Sequence, residues 1–111
     1  MNGAGCRRKG HDFERAVARR FAAVFGNDTV RRGLQYRDGT ECPDVVAPGF
    51  WVECKAGRRT NPRAALAQAV ACSAGKTERP LAVCKDDRDP AFVVLRLDDF
   101  LALFAEGRAS A

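Results

Sequence analysis

The order of elements written in this chain predicts a mixed α/β domain, with a central sheet and helices on both faces. Three observations carry that expectation. Apolar residues recur at helical spacing near the start, at Phe13, Val17, Phe21, Val24 and Phe25. Two apolar runs divided by Pro48-Gly49 read as a β-hairpin, because proline then glycine fits the central positions of a type II turn. Asn61-Pro62 then opens a second helix, with asparagine as N-cap and proline at the first helical position.

Each element follows in turn. Residues 1–8 are polar and glycine-containing, and fraying is expected there. The first helix is predicted from about His11 to Phe25, ended by Gly26 and Asn27. Thr29 to Leu34 reads as a short strand, and Gly33 to Glu41 as a polar loop. The hairpin strands are Asp44 to Ala47 and Phe50 to Ala56. Gly57 to Thr60 is a basic loop, and the second helix runs to about Ala74, with Gly75 as its stop. Leu81 to Lys85 and Phe92 to Leu97 are two further strands, joined by the charged loop Asp86 to Pro90. Asp98 caps a third helix, with Phe100, Leu101, Leu103 and Phe104 on or near its buried side and Gly107 after it. That helix is amphipathic and could equally be a partner surface. The order is α-β-β-β-α-β-β-α, within one domain spanning 1–111.

Composition narrows the function classes. The chain is 46% hydrophobic and 30% charged, which excludes a wholly disordered segment. No run approaches the roughly 20 apolar residues of a membrane span, and the arginine-rich opening does not read as a secretory signal. Five cysteines without a CxxC pair support neither a disulfide framework nor a zinc finger. They are expected as reduced thiols in the cytoplasm (the host cytoplasm if the gene is viral), with Cys54, Cys72 and Cys84 as small core residues. The net charge of +5, with 15 arginines against 4 lysines, suits a phosphate-rich partner.

The hairpin carries the chemistry. With Pro48 and Gly49 at the turn, Ala47 faces Phe50, Val46 faces Trp51, Val45 faces Val52, and Asp44 faces Glu53. Directly opposed residues have Cβ atoms roughly 4.5–5.5 Å apart. Side chains alternate along a strand, so Trp51, Glu53 and Lys55 share a face. Two carboxylates and one lysine thus converge in an otherwise apolar sheet. Either a hard divalent cation such as Mg²⁺ offsets the opposed charges, or Lys55 neutralises them as a salt-bridge cluster. Trp51, the only tryptophan, is expected in core or dimer packing.

Pro43-Asp44 followed by Glu53-Cys54-Lys55 on the next strand resembles the PD-(D/E)xK nuclease superfamily. The element order is similar to its restriction-endonuclease-like core. Lys9-Gly10 and Glu14-Arg15 on the first helix resemble, more narrowly, the archaeal-type Holliday junction resolvases. The resemblance implies a Mg²⁺-dependent endonuclease, with Mn²⁺ able to substitute. It implies Asp44 and Glu53 as metal ligands, the Cys54 backbone carbonyl as a third, Glu14 as an additional carboxylate, and Lys55 as the catalytic lysine. Gln68 on the second helix matches a glutamine that many superfamily members place near the active site. The resolvases carry a glycine- and serine-containing loop before the PD segment; here it runs from Arg32 to Glu41, with Thr40 as the nearest hydroxyl.

Arg7, Arg8, Lys9, Arg31, Arg32, Arg37, Arg58, Arg59 and Arg63 flank this site in sequence and are expected to contact DNA phosphates. His11 is either a phosphate contact or a solvated residue. Cutting a four-way junction requires two sites related by a two-fold axis, so a homodimer is expected. The same residues also fit a repair, restriction or phage nicking endonuclease, or a non-catalytic DNA-binding protein on this fold.

Overall fold

The computed structural model describes residues 3–33 and 43–110, with side chains described over 9–33 and 43–107. Its elements are α1 (Gly3–Phe25), β1 (Arg31–Arg32), β2 (Val45–Ala47), β3 (Phe50–Gly57), α2 (Pro62–Ser73), β4 (Arg79–Asp86), β5 (Phe92–Val94) and α3 (Leu97–Ser110). The strands form one five-stranded sheet in the order β1-β2-β3-β4-β5. Only β3 and β4 run parallel, and α2 is the crossover between them. The other neighbours are antiparallel. The expected mixed sheet and element order are therefore present.

The period-two alternation of the strands builds two apolar faces. Val45, Ala47, Val52, Cys54, Leu81 and Val83 pack with Val17 of α1, flanked by Phe13, Phe21 and Phe50. On the opposite face Ala82 and Cys84 pack against Ala65 of α2. Small residues there let the helix approach the sheet closely. Asn61 caps α2 as expected, its side chain accepting from the Ala64 N–H at 3.1 Å. At the hairpin turn Gly49 has φ 79°, the positive value that a type II turn demands at that position. The register matches the expected Val45–Val52, Val46–Trp51 and Ala47–Phe50 pairs.

Several expectations are corrected. Helix α1 begins at Gly3 rather than His11, so the polar opening is helical. Val24 is 78% exposed, although Phe25 beside it packs on Phe50 of β3. Strand β1 is two residues long and β5 three, both shorter than the segments Thr29 to Leu34 and Phe92 to Leu97 expected as strands. Leu97 opens α3 instead of ending β5, because the Arg96 carbonyl accepts the first helical hydrogen bond from Phe100. Asp98 is therefore inside the first turn, not the cap. Gly107 does not stop α3; an isolated glycine costs a helix only about 1 kcal/mol against alanine. Phe100, Leu101 and Phe104 are more than half exposed rather than buried. Cys54 and Cys84 are buried free thiols and Cys72 is half-buried, close to the core role expected. Among the described residues, no helix is long and apolar enough to cross a membrane.

Candidate active site

Strand β3 outruns its neighbour. Strand β2 pairs only with Phe50–Val52, while β3 continues to Gly57 alongside β4. Beyond Val45 the hairpin pairing also slips. The Asp44 N–H donates to the Val52 carbonyl at 2.9 Å, although Val52 is already the partner of Val45. Two residues of one strand thus face one of the other, the count that defines a β-bulge. The expected direct Asp44–Glu53 register pair is replaced by this bulge.

The bulge changes what the Asp44 side chain does. Its Oδ2 accepts the backbone N–H of Cys54 at 2.8 Å, inside the protein. The carboxylate thereby takes the place of the missing strand on the open edge of β3. The N–H and C=O of one extended residue point to the same side of its strand. The Cys54 carbonyl therefore looks toward the same open edge as Asp44.

Glu53 is 3% exposed and Asp44 is 6% exposed. Burial and the neighbouring Asp44 charge push the Glu53 carboxyl up to about 7, against a usual 4.5. A hydrogen bond from the Trp51 indole and the charge of Lys55 oppose that rise. The Trp51 Nε1–H donates to Glu53 Oε1 at 3.0 Å within the same strand face. Lys76 Nζ stands 5.5 Å from the centre of the Trp51 ring on the outer side. Trp51 is thus packed in the core, as expected, and also orients a carboxylate, which was not expected. The i, i+2 spacing of Trp51 and Glu53 was the available signal.

Glu14 comes from α1. Its carboxyl is raised by burial and by Asp44, and lowered by Arg32 and His11. Arg32 Nε lies 3.3 Å from Glu14 Oε1 as an ion pair, yet is buried without an aligned hydrogen bond. Arg32, expected on phosphate, is paired with Glu14 at the site in the single chain. Gly33 makes this junction possible. A Cβ there would fall 1.7 Å from the Pro43 carbonyl oxygen, and its N–H donates to the Asp44 carbonyl at 2.9 Å.

One pocket of about 280 Å³ is lined by Gly10, His11, Glu14, Asp44, Glu53, Cys54, Lys55, Ala56 and Gln68. Glu14, Asp44, Glu53, Lys55 and Gln68, distant in sequence, are brought to one place. Lys55 and Gln68 are exposed at its mouth. Among the described residues no ion pair joins Lys55 to either acid, so the salt-bridge cluster is not formed. A second pocket of about 290 Å³ shares Lys55, Ala56 and Gln68 and continues to Arg59, Thr60 and Asn61. The loop carrying Arg58 and Arg59 is pinned by Asp86, whose Oδ1 accepts from both the Thr60 N–H and Oγ1–H at 2.7 and 2.6 Å. These bonds hold the Asp86 carboxyl below its usual range.

The remaining basic residues are scattered. Arg31, Arg58, Arg59 and Arg63 are exposed, and Lys9 is paired with Asp87. The side chains of Arg7 and Arg8, and the whole of Arg37 and Thr40, lie outside the described residues.

The donor chemistry fits a hard divalent cation. Two buried carboxylates are short of counter-charge, and a backbone carbonyl faces the same edge. Mg²⁺ takes oxygen ligands, commonly one or two carboxylates with waters completing the octahedron. Among the described residues no group of three or more His, Cys, Asp or Glu side chains is arranged to hold a metal. Glu14, turned to Arg32, does not complete such a group. The Cys54 thiol contributes no ligand, since burial and the surrounding acids raise its pKa far above the usual value. Comparison with protein-family models, curated proteins and solved structures found no match to this chain.

Proposed function

We propose that this protein is a Mg²⁺-dependent structure-selective DNA endonuclease of the PD-(D/E)xK kind, with a four-way junction as its substrate. The observation that carries the reading is the meeting of Asp44, Glu53 and Lys55 at the open edge of β3. Two acids sit there without a paired cation, and the lysine beside them is uncommitted. That arrangement is costly in an apolar sheet and serves no packing purpose.

Asp44, Glu53 and the Cys54 carbonyl would hold the ion, which supplies Lewis-acid polarisation of a phosphate. Trp51 keeps Glu53 oriented through its indole N–H. Lys55, exposed at the mouth, is placed to steady the attacking water or the charge that develops on the phosphate oxygens. Gln68 offers an amide beside it. Glu14, held by Arg32, sets the local negative potential. Water attacks phosphorus in line, the new P–O bond forms, and the ester oxygen on the far side leaves with a proton. Arg58, Arg59 and Arg63 leave the site on the α2 side and position the DNA backbone without reading sequence. Two-fold cutting of a junction calls for a homodimer.

The deciding experiment incubates the protein with a labelled four-way junction, a linear duplex and a flap, with Mg²⁺ or with EDTA. Preferential, EDTA-sensitive cutting of the junction is expected. Glu53→Gln and Lys55→Ala should abolish cutting while retaining binding. Equal cutting in EDTA, or full activity in either variant, would refute the reading. Cutting of flap or duplex alone would retain the chemistry and reassign the substrate to a repair or nicking class.

A further inference from the structure

The eight large hydrophobic residues exposed among the described residues fall on just two surfaces. The first is the outer face of α3. Leu97, Phe100, Leu101 and Phe104 follow an i, i+3, i+4, i+7 spacing, so they form one stripe along the helix. They are 68%, 51%, 52% and 60% exposed. The opposite side of α3, with Asp99, Ala102 and Leu103, is half-buried, and Glu106 there pairs with Arg79 of β4. The helix is therefore held by this mixed side and presents the Leu97–Phe104 stripe outward. It is packed extensively on none of the other elements.

The second surface is a groove of about 270 Å³ between α1 and the β4–β5 side of the sheet. Phe21, Val24 and Phe25 form one wall, and Phe92 and Val93 of β5 form the other. Helix α1 packs over β1–β3; on the same face Leu81 and Val83 of β4 are buried, and Val93 of β5 is left half exposed. A layer of helices over a sheet lacks one member there, and the groove is the space it would fill.

We propose that α3 of a second copy of this chain occupies the groove, with the exchange made reciprocally about a two-fold axis. The two surfaces match in form, a ridge and a groove, and in chemistry. The apolar stripe is bordered by the exposed acid Asp98, and the groove is bordered by the exposed base Arg20. The area is also of the right size. An aromatic side chain carries about 150–250 Å² and Val or Leu less, so at about half exposure the four residues of each surface present on the order of 400 Å², and the two surfaces of one copy about 800 Å². A stable interface buries about 800 Å² per partner, which a reciprocal contact reaches because each copy contributes both surfaces. A reciprocal contact closes on itself and leaves neither surface exposed. The contact rests on apolar surface and one pair of opposite charges, and needs no nuclease activity.

The test is the mass in solution by light scattering, at micromolar concentration and without DNA or metal. Wild type is expected at twice the chain mass. Phe104→Asp on α3 and Val93→Asp in the groove should each halve it. Both positions are at least half exposed in the single chain, so the variants should keep their helical circular dichroism. Leu101→Asp and Val24→Asp replace either one that does not. A monomeric wild type overturns the proposal, as does α3 folding onto its own groove, which gives the same mass. A Phe104→Asp monomer beside a Val93→Asp dimer also overturns it, because α3 would then pair with its twin. Dimers in both variants would overturn it too. None of these outcomes is read from cleavage: a monomer would remove the two-fold pair of sites that junction cutting calls for, while the metal chemistry at Asp44 and Glu53 is tested by the cleavage assay itself.

Discussion

Glu53→Gln in metal-free protein tests the electrostatics of the site without any DNA. The Glu53 carboxyl stands at about 7 in the folded protein, against 4.5 for the ordinary group. At pH 8 it is ionised in both folded and unfolded chains, and the fold bears the full cost of burying that charge beside Asp44. Below pH 4.5 it is protonated in both states and the cost is gone. Between those values the folded state binds more protons than the unfolded one, so this group makes stability fall as pH rises from about 4.5 to about 7. Each pKa unit is worth about 1.4 kcal/mol, so the shift amounts to about 3 kcal/mol. Glutamine keeps an oxygen for the Trp51 N–H and adds a donor for the Asp44 carboxylate, so it replaces a repulsion with a hydrogen bond. In EDTA the variant should melt close to wild type at pH 4.5 and roughly 10 °C above it at pH 8, at about 4 °C per kcal/mol for a domain of this size. Trp51→Phe should act in the opposite direction. Losing the indole donor raises the Glu53 carboxyl further and extends the loss of stability above pH 7. Thermal melts of the three proteins across this range are the assay. A gap between Glu53→Gln and wild type that is the same at every pH would refute the argument, because its source would then not be a titrating carboxylate.

Three further outcomes follow from the same geometry. Asp44→Asn keeps an oxygen for the Cys54 N–H and removes the charge opposing Glu53, so without metal it should melt at or above wild type; Mg²⁺ should raise the wild-type melting temperature as a ligand of the folded state alone, and the variant should lose most of that rise. A salt-bridge role for Asp44 would instead lower the variant's melting temperature, with little Mg²⁺ response in either protein. Gly33→Ala places a methyl against the Pro43 carbonyl and should cost about 2 kcal/mol or more in urea unfolding, with weakened Mg²⁺ stabilisation; an unchanged midpoint would contradict the close approach. DNA binding should fall linearly with the logarithm of salt concentration and be nearly independent of sequence, and a flat salt response by fluorescence anisotropy would exclude the exposed arginines as phosphate contacts.

The order of elements and the hairpin register from Val45 to Val52 were legible in local pattern, whereas the ends of α1, β1, β5 and α3 were not. Period-two and helical spacings are local properties, and a Pro-Gly turn leaves a two-strand ladder little choice of pairing. Asn61 and Gly49 were legible for the same reason, since caps and turns depend on a few adjacent residues. The candidate acids and lysine were legible because they stand on that ladder. The remaining features arise only when the elements pack together. The bulge at Asp44 arises where β2 stops and β3 continues, a difference in strand length that no local pattern records. Arg32 lies 18 residues from Glu14, and only the packing of α1 beside β1 makes them partners. Glu53 has an ordinary side chain whose proton affinity comes from burial and from Asp44, both consequences of the assembled sheet. The apolar stripe of α3 reads as a buried face by periodicity, because periodicity reports that a face is apolar and not what covers it. What faces the protein is the other side of the helix, where Asp99, Ala102 and Leu103 are half-buried and Glu106 pairs with Arg79.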